Sequence, residues 1–466
     1  MADLERVLKR IDEDLDQSLD RLFSLLRIPS ISADPTFKAD CRRAAEWCAA
    51  TLSEVGFEAS VRDTQGHPMV VGHYTGAGEG APHVLFYGHY DVQPVDPLDL
   101  WETSPFEPSL AEVEGEKRIV GRGSADDKGQ LMTFVEAARA WFAETGGLPV
   151  NVTVLFEGEE ESSSPSMIPF LTANAKELTR DVALVCDTNM WNRKTPAIAT
   201  MLRGLVYDEV IIQAASRDLH SGLYGSAARN PIHVLTRILA DLRDENGHIK
   251  IPDFYEGVPE LSDEQKASWD RLGFDQAEFL GGVGLSVPAG ERDRSVLEQI
   301  WSRPTLEVNG IVGGYIGEGA KTVIPAKASA KVSFRLVGEQ DPDKIRAAFR
   351  AFVTARAPED CKVTFLSHGG DRAVSQPTDS DFVQKTRKAL SDEWNTEAAL
   401  IAMGGSIPIV TQFKRHLGMD SVLVGFGLDD DRIHSPNEKY NLSSFHGGTR
   451  SWARILGELG AGKNLA

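Results

Sequence analysis

Residues 83–92 read HVLFYGHYDV, a run of β-branched and aromatic residues that ends in a histidine and an aspartate. Apolar residues at successive positions mark a strand covered on both faces, because a strand with one wet face would alternate. The pattern returns in VNVTVLFEGE (150–159) and VALVCD (182–187), and two shorter runs, EASVRD (58–63) and MVVGHY (69–74), precede it. Helical patterns lie between and around these runs. One covers 38–55 and stops at Gly56; another starts at Lys128 and carries Val135, Ala138 and Phe142. At the N-terminus Leu4, Leu8, Ile11, Leu15, Leu19, Leu22 and Leu26 recur at helical spacing, which predicts one amphipathic helix over 3–26, closed by Pro29. Strands alternating with helices imply an α/β domain with a mixed, mostly parallel sheet flanked by helices.

The character changes near residue 203. LVYDEVIIQ (205–213) and ASAKVSFRLVG (328–338) are longer and alternate as strands covered on one face do. Between them lie the helical pattern PIHVLTRILADLRDE (231–245), a loop-rich acidic stretch (252–304) and the segment NGIVGGYIGEGAKTVIP (309–325). PDKIRAAFRAFVTARA (342–357) then reads as helix and CKVTFLS (361–367) as strand. This order predicts a small α+β sandwich at 203–373, inserted into a first domain built from 1–202 and 374–466. A length of 466 residues agrees, since single cores stop growing near ~250–300 residues.

Composition narrows the function. With 41% hydrophobic, 25% charged and 8% aromatic residues the chain is ordinary globular protein. Its 49 basic and 69 acidic residues leave a net charge of −20, the wrong sign for tracking phosphates, so neither nucleic acid nor an anionic membrane is expected as a partner. No stretch approaches the ~18 apolar residues of a membrane span. Charges also interrupt the first 26 residues too often for a secretory apolar region, so a cytoplasmic location is expected. Cys41, Cys48, Cys186 and Cys361 form no CxxC pair and are expected to be free thiols. The near-Walker loop from Gly314 to Lys321 has one residue too many before the lysine, and Pro325 prevents the helix that would hold phosphate. GAGEGAP (76–82) reads as a turn between strands.

Four segments end apolar strands or open helices with metal-ligand side chains. They are His89 and Asp91 in VLFYGHYDV, Asp126 and Asp127 in GRGSADDKG, Glu159, Glu160 and Glu161 in FEGEEESSS, and Asp187 in VALVCDTN. Each has an ordinary alternative: a core histidine, a helix cap, a solvated acidic turn. Together they point elsewhere, because residues at the carboxyl ends of neighbouring strands converge on one crevice. Clustered carboxylates resist joint burial unless a cation neutralises them. Imidazole with carboxylate selects zinc, manganese or cobalt. Three ligand carboxylates and one bridging hydroxide balance two divalent ions, which leaves a further acid free to carry a proton.

With these residues in view, the chain resembles the dinuclear-metal aminoacylase/carboxypeptidase family, and within it the carnosine-type dipeptidases. GHYDVQP (88–94), Trp101 to Pro108, GRGSADDKG (121–129), EGEEESSS (157–164), RDLHSG (217–222), KTVIP (321–325), GGSIP (404–408) and IHSPNE (433–438) match in order and spacing. The resemblance implies two divalent metal ions per subunit, zinc or manganese with cobalt as a further candidate. His89, Asp126 and Asp187 would hold one ion, and Asp126 as bridge, Glu161 and His434 the other. Glu160 is implied as general acid/base and Asp91 as the group that orients His89, with a cis peptide between Asp126 and Asp127. His220 is implied to reach a partner subunit's site, Arg335 to bind the substrate's carboxylate, and Thr322, Gly405 and Ser406 to touch substrate. The inserted domain would be a lid and dimerisation module, making a homodimer. The implied reaction is hydrolysis of a dipeptide or short peptide to release its C-terminal amino acid. An N-acyl- or N-carbamoyl-amino-acid amidohydrolase with the same site stays open. Glu159 is not expected to be a ligand, and His83, His233, His368, His416 and His446 are expected to be structural.

Overall fold

A computed structural model describes residues 2–461. The chain forms two compact units, Met1–Thr200 with Gln376–Ile401 and Gln412–Ala466, and Met201–Ser375 with Ala402–Thr411. The second unit includes 402–411, which the sequence pattern had placed with the first. The reason is local bonding that periodicity does not register. Arg203 N donates to Gly405 O at 3.2 Å, Arg203 Nε to Gly404 O at 2.8 Å, and Ser406 Oγ to Arg203 O at 2.5 Å.

The first unit is built on a mixed sheet whose strands run in the order Glu58–Arg62, Met69–Tyr74, Asn151–Glu157, His83–His89, Val182–Val185, Ser421–Val424 and Ala197–Leu202. In the middle the pairing is parallel: His83–His89 lies between Asn151–Glu157 and Val182–Val185, and the latter pairs with Ser421–Val424. Glu58–Arg62 with Met69–Tyr74, Met69–Tyr74 with Asn151–Glu157, and Ser421–Val424 with Ala197–Leu202 pair antiparallel. Register places the site: His89 lies opposite Glu157 and Tyr87 opposite Val185, so the residues after all three strands emerge side by side.

Helices Lys38–Val55, Lys128–Thr145 and Leu442–Gly460 contribute to the core of this unit. Lys128–Thr145 is buried on nearly every side through its first three turns, which is why its apolar residues make no stripe. Phe134 on this helix stacks on Phe86 of the central strand at 3.7 Å between ring centroids, and Trp452 meets Phe86 edge-on at 5.3 Å. Burying an aromatic side chain of this size contributes roughly 2–3 kcal/mol. The N-terminal pattern forms two helices, Ala2–Glu13 and Leu15–Leu26, with a break at Asp14. The apolar spacing runs through the break unchanged, so the sequence alone could not reveal it.

The second unit carries a four-stranded antiparallel sheet, in the order Thr305–Gly313, Lys327–Leu336, Gly204–Gln213 and Lys362–Asp371. Helices Pro231–Ala240 and Pro342–Arg356 pack on it around Val206, Val210, Leu235, Phe334 and Phe349. Thr305–Gly313 is a strand beyond those the sequence predicts; as an edge strand it leaves most of its side chains exposed and shows no alternation. The helix starting at Pro231 stops at Ala240, short of the predicted 245, because Asp244-Glu-Asn-Gly247 makes a turn instead. Gly247 there has φ +87°, which suits glycine. All four cysteines are free. No helix of the described residues is long and apolar enough to cross a membrane.

Candidate metal centre

The three parallel strand ends and two loops of the first unit bring seven of the predicted residues together. His89 Nε2 lies 3.0 Å from Asp126 Oδ1, and His434 Nε2 lies 3.0 Å from Asp126 Oδ2. Asp126 therefore offers one oxygen to each imidazole. His434 is also 3.3 Å from Glu161 Oε2. Two trios result, His89–Asp126–Asp187 and Asp126–Glu161–His434, each with its donor atoms within 4.8 Å of one another. The first sits on the buried strand end; the second opens outward, with His434 exposed.

The supporting contacts refine the expected roles. The strand ends at His89, so Asp91 lies beyond it, and its backbone carbonyl comes closer to His89 Nδ1 (3.2 Å) than its carboxylate does (3.4 Å). The carboxylate instead accepts from Glu160 N at 3.3 Å and Glu161 N at 3.1 Å. Asp91 thus links His89 to the acidic turn. Asp127 occupies the N-cap position of Lys128–Thr145 without making a side-chain cap bond. Its Oδ2 accepts from His89 N at 3.0 Å, an approach that Gly88 permits, since a Cβ there would meet that oxygen at 2.9 Å. The Asp126–Asp127 peptide is cis. Glu159 turns away, accepting from His67 N and Ser166 N at 2.7 and 2.9 Å.

Charge is the unusual feature of this cluster. Among the described residues no lysine or arginine forms an ion pair with Asp126, Asp187, Glu160 or Glu161. Burial, reinforced by the neighbouring carboxylates, pushes the Asp187 carboxyl well above its ordinary range. Burial likewise lifts Glu160 to about 7, with Glu161, Asp91 and Asp126 adding to it. Hydrogen bonds to Asp126 and Glu161 raise His434 to about 10. For His89 burial acts downward, but Asp126 and Asp91 outweigh it and hold it well above its usual value. Burial alone would raise Asp126, yet its two imidazole partners hold it below the carboxylate range. Without an ion, protons bind where positive charge is wanted. A set of imidazole and carboxylate donors converging in this way fits two divalent cations.

The remaining predicted residues belong to the second unit. Arg335 Nη1 donates to Ser406 Oγ at 3.2 Å, and Ser406 adjoins Gly405. Burial and the neighbouring Arg335 lower Arg203 to about 10, which makes this a compact, positively charged corner. His220 ends a short strand, Leu219–His220, paired with Val323–Ile324, and Ser221 N donates to Thr322 O at 3.1 Å. His220 is exposed, and its Nδ1 accepts from Gly222 N at 3.0 Å.

Some contributors went unassigned in the sequence. Glu438 and Arg122 form a buried pair at 2.8 Å beside Asp126. Gln93 Nε2 donates to Glu161 Oε2 at 2.7 Å, and Tyr87 donates to Glu157 at 2.6 Å. All five, Glu157 included, lie in or beside quoted motifs, but only three-dimensional contact assigns them partners.

Residues 85–458 match the model of peptidase family M20/M25/M40. The Cys-Gly metallodipeptidase of Saccharomyces cerevisiae is 32% identical over 97% of this chain and 97% of its own. Human carnosine dipeptidase 1 superimposes with a TM-score of 0.79 at 28% identity, covering 98% of both chains. A metallo-carboxypeptidase of the M20 family from Sulfolobus solfataricus gives 0.81 at 29% identity, covering 95% of this chain and 99% of that one. The chain belongs to peptidase family M20/M25/M40.

Proposed function

We propose that the protein is a metal-dependent dipeptidase that releases the C-terminal amino acid of a dipeptide or short peptide. One observation carries this reading. Two His/carboxylate trios share Asp126, and among the described residues no lysine or arginine pairs with their acids. His89, Asp126 and Asp187 would hold one divalent ion, and Asp126, Glu161 and His434 the other. When bound, the ions would supply Lewis-acid charge to acidify a water and polarise the scissile carbonyl. Zinc, manganese and cobalt suit the donors, which include no thiolate.

The chain's own groups do the rest. Glu160 takes the proton of the attacking water on its carboxylate and returns it to the leaving amine nitrogen. Asp91 holds the backbone of the turn that presents Glu160. His220 accepts the Gly222 N–H at Nδ1, which selects the tautomer with a proton on Nε2, a donor suited to a developing oxyanion. Arg335, steadied by Ser406, can grip a free carboxylate with two parallel hydrogen bonds. Thr322 and Gly405 complete the substrate contacts. Exposed Ile311, Val312 and Ile316 on and beside the edge strand support a homodimer formed through the second unit, with that unit acting as a lid. The cytoplasm is the proposed location.

Relatives that are dipeptidases along nearly their whole length favour a peptide over an N-acyl amino acid. The test is amino-acid release from a panel of dipeptides and N-acyl amino acids by metal-stripped protein, with zinc, manganese or cobalt restored separately. Metal-dependent cleavage of the dipeptides is expected. Release from the N-acyl compounds alone would replace the substrate class.

A further inference from the structure

Glu438 has no exposed surface, and both its carboxylate oxygens are engaged. Oε1 accepts from Ala125 N at 2.9 Å and Asp126 N at 3.1 Å. Oε2 accepts from Gly123 N at 2.9 Å and Arg122 Nη1 at 2.8 Å. Glu438 O accepts from Gly121 N at 3.1 Å as well. The turn between Val120 and Lys128 has no helix or strand to shape it; much of its backbone N–H capacity is taken by this one residue.

Glu438 belongs to the loop that carries His434, and that loop is itself held firmly. At its base Lys439 N donates to Asp431 O at 3.0 Å, and Lys439 Nζ pairs with the Asp431 carboxylate at 2.5 Å. Nearer His434, Asn437 Oδ1 accepts from Glu102 N at 2.7 Å and Asn437 Nδ2 donates to Leu100 O at 2.9 Å. Fixed at these points, the loop presents His434 to one oxygen of Asp126 while Glu438 holds the backbone of the same aspartate.

We propose that Glu438 is a positioning residue that locks the Asp126 turn to the His434 loop, so that both ion sites are assembled by one buried carboxylate. The proposal rests on Asp126 being the shared ligand. Moving the Asp126 backbone displaces both of its oxygens, one facing each histidine. An effect on both ions follows, whereas loss of a single-site ligand affects one. An amide cannot take over, because whichever way it turns its NH2 faces two N–H donors. Changes in the groups that orient ligands cost about 10–100-fold in metal affinity.

The test is calorimetric titration of zinc, and separately manganese, into metal-stripped full-length protein. The wild type is compared with Glu438→Gln and His434→Ala, and folding of each is checked by circular dichroism. Glu438→Gln is expected to weaken both ions by at least about tenfold, and His434→Ala to weaken chiefly one. If Glu438→Gln does not fold, Glu438→Asp takes its place; it keeps the charge but is too short to reach all four donors, and the same weakening of both ions is expected. Wild-type affinity for both ions, or weakening only of the ion that His434→Ala weakens, overturns the proposal. A wild type that binds no second ion overturns instead the reading on which it rests.

Discussion

The first unit's cluster and a trio in the second unit, His248, Glu291 and Asp293, offer the same donor types at similar spacing. Their surroundings differ. Arg303 Nε lies 2.6 Å from Glu291 Oε2, and Arg294 Nε lies 3.9 Å from Glu291 and 3.8 Å from Asp293. The second trio is thus already neutralised by guanidinium groups, and a cation arriving there would have to compete with them. Around Asp126, among the described residues, no such group pairs with the acids, so burial and mutual repulsion raise Asp187 and Glu160 and favour an incoming ion. Donor geometry alone does not identify a metal site; uncompensated charge does.

The sharpest way to break this contrast is to remove one oxygen from each cluster. Asp126→Asn replaces one of the two oxygens that face the histidines with an NH2, and should cost the protein at least one of its two ions and with it all measurable turnover. Asp293→Asn should leave metal content unchanged when both proteins are assayed by atomic absorption. Metal loss from the second variant, or retention by the first, would undo the distinction. Glu160→Gln is next: ion content should persist while turnover falls about 10²–10⁴-fold. Normal turnover would exclude Glu160 as the proton carrier.

Arg303→Met tests the other side of the comparison. It leaves Glu291 buried without its main partner, which should cost about 3–5 kcal/mol in chemical denaturation. A negligible change would mean that Arg294 suffices. Arg335→Ala should raise KM about 10–100-fold for substrates with a free carboxylate, and much less for their amides. Equal effects on both would deny Arg335 its carboxylate.

The first unit was legible wherever buried strands end in polar residues, because the side chains that must meet stand at the ends of parallel strands: His89, the acidic run Glu159 to Glu161, and Asp187 followed from HVLFYGHYDV, VNVTVLFEGE and VALVCD, while resemblance singled out Glu160 within its run. His434 was not legible that way. It sits in a loop with φ +59°, and only resemblance singled it out. The docking of 402–411 on Arg203 and the backbone role of Asp91 rest on a few hydrogen bonds, and the Asp14 break on one residue's backbone angles; apolar periodicity is blind to all of them. Thr305–Gly313 escaped because an exposed edge strand has no inner face to alternate with an outer one.

The smallest expected effect concerns protons. In the ion-free protein His434 is held up to about 10 by Asp126 and Glu161, so near neutral pH it carries a proton that an incoming ion must displace. Affinity for that ion should therefore rise with pH, by up to about tenfold per unit for one proton released. It should level off only as pH passes the raised value. Calorimetry at one pH in two buffers of different ionisation enthalpy counts the protons directly. The wild type should release more of them than His434→Ala does, by about one. Equal proton release would mean that His434 is already neutral in the ion-free protein, and that the acids beside it are stabilised by something other than its charge.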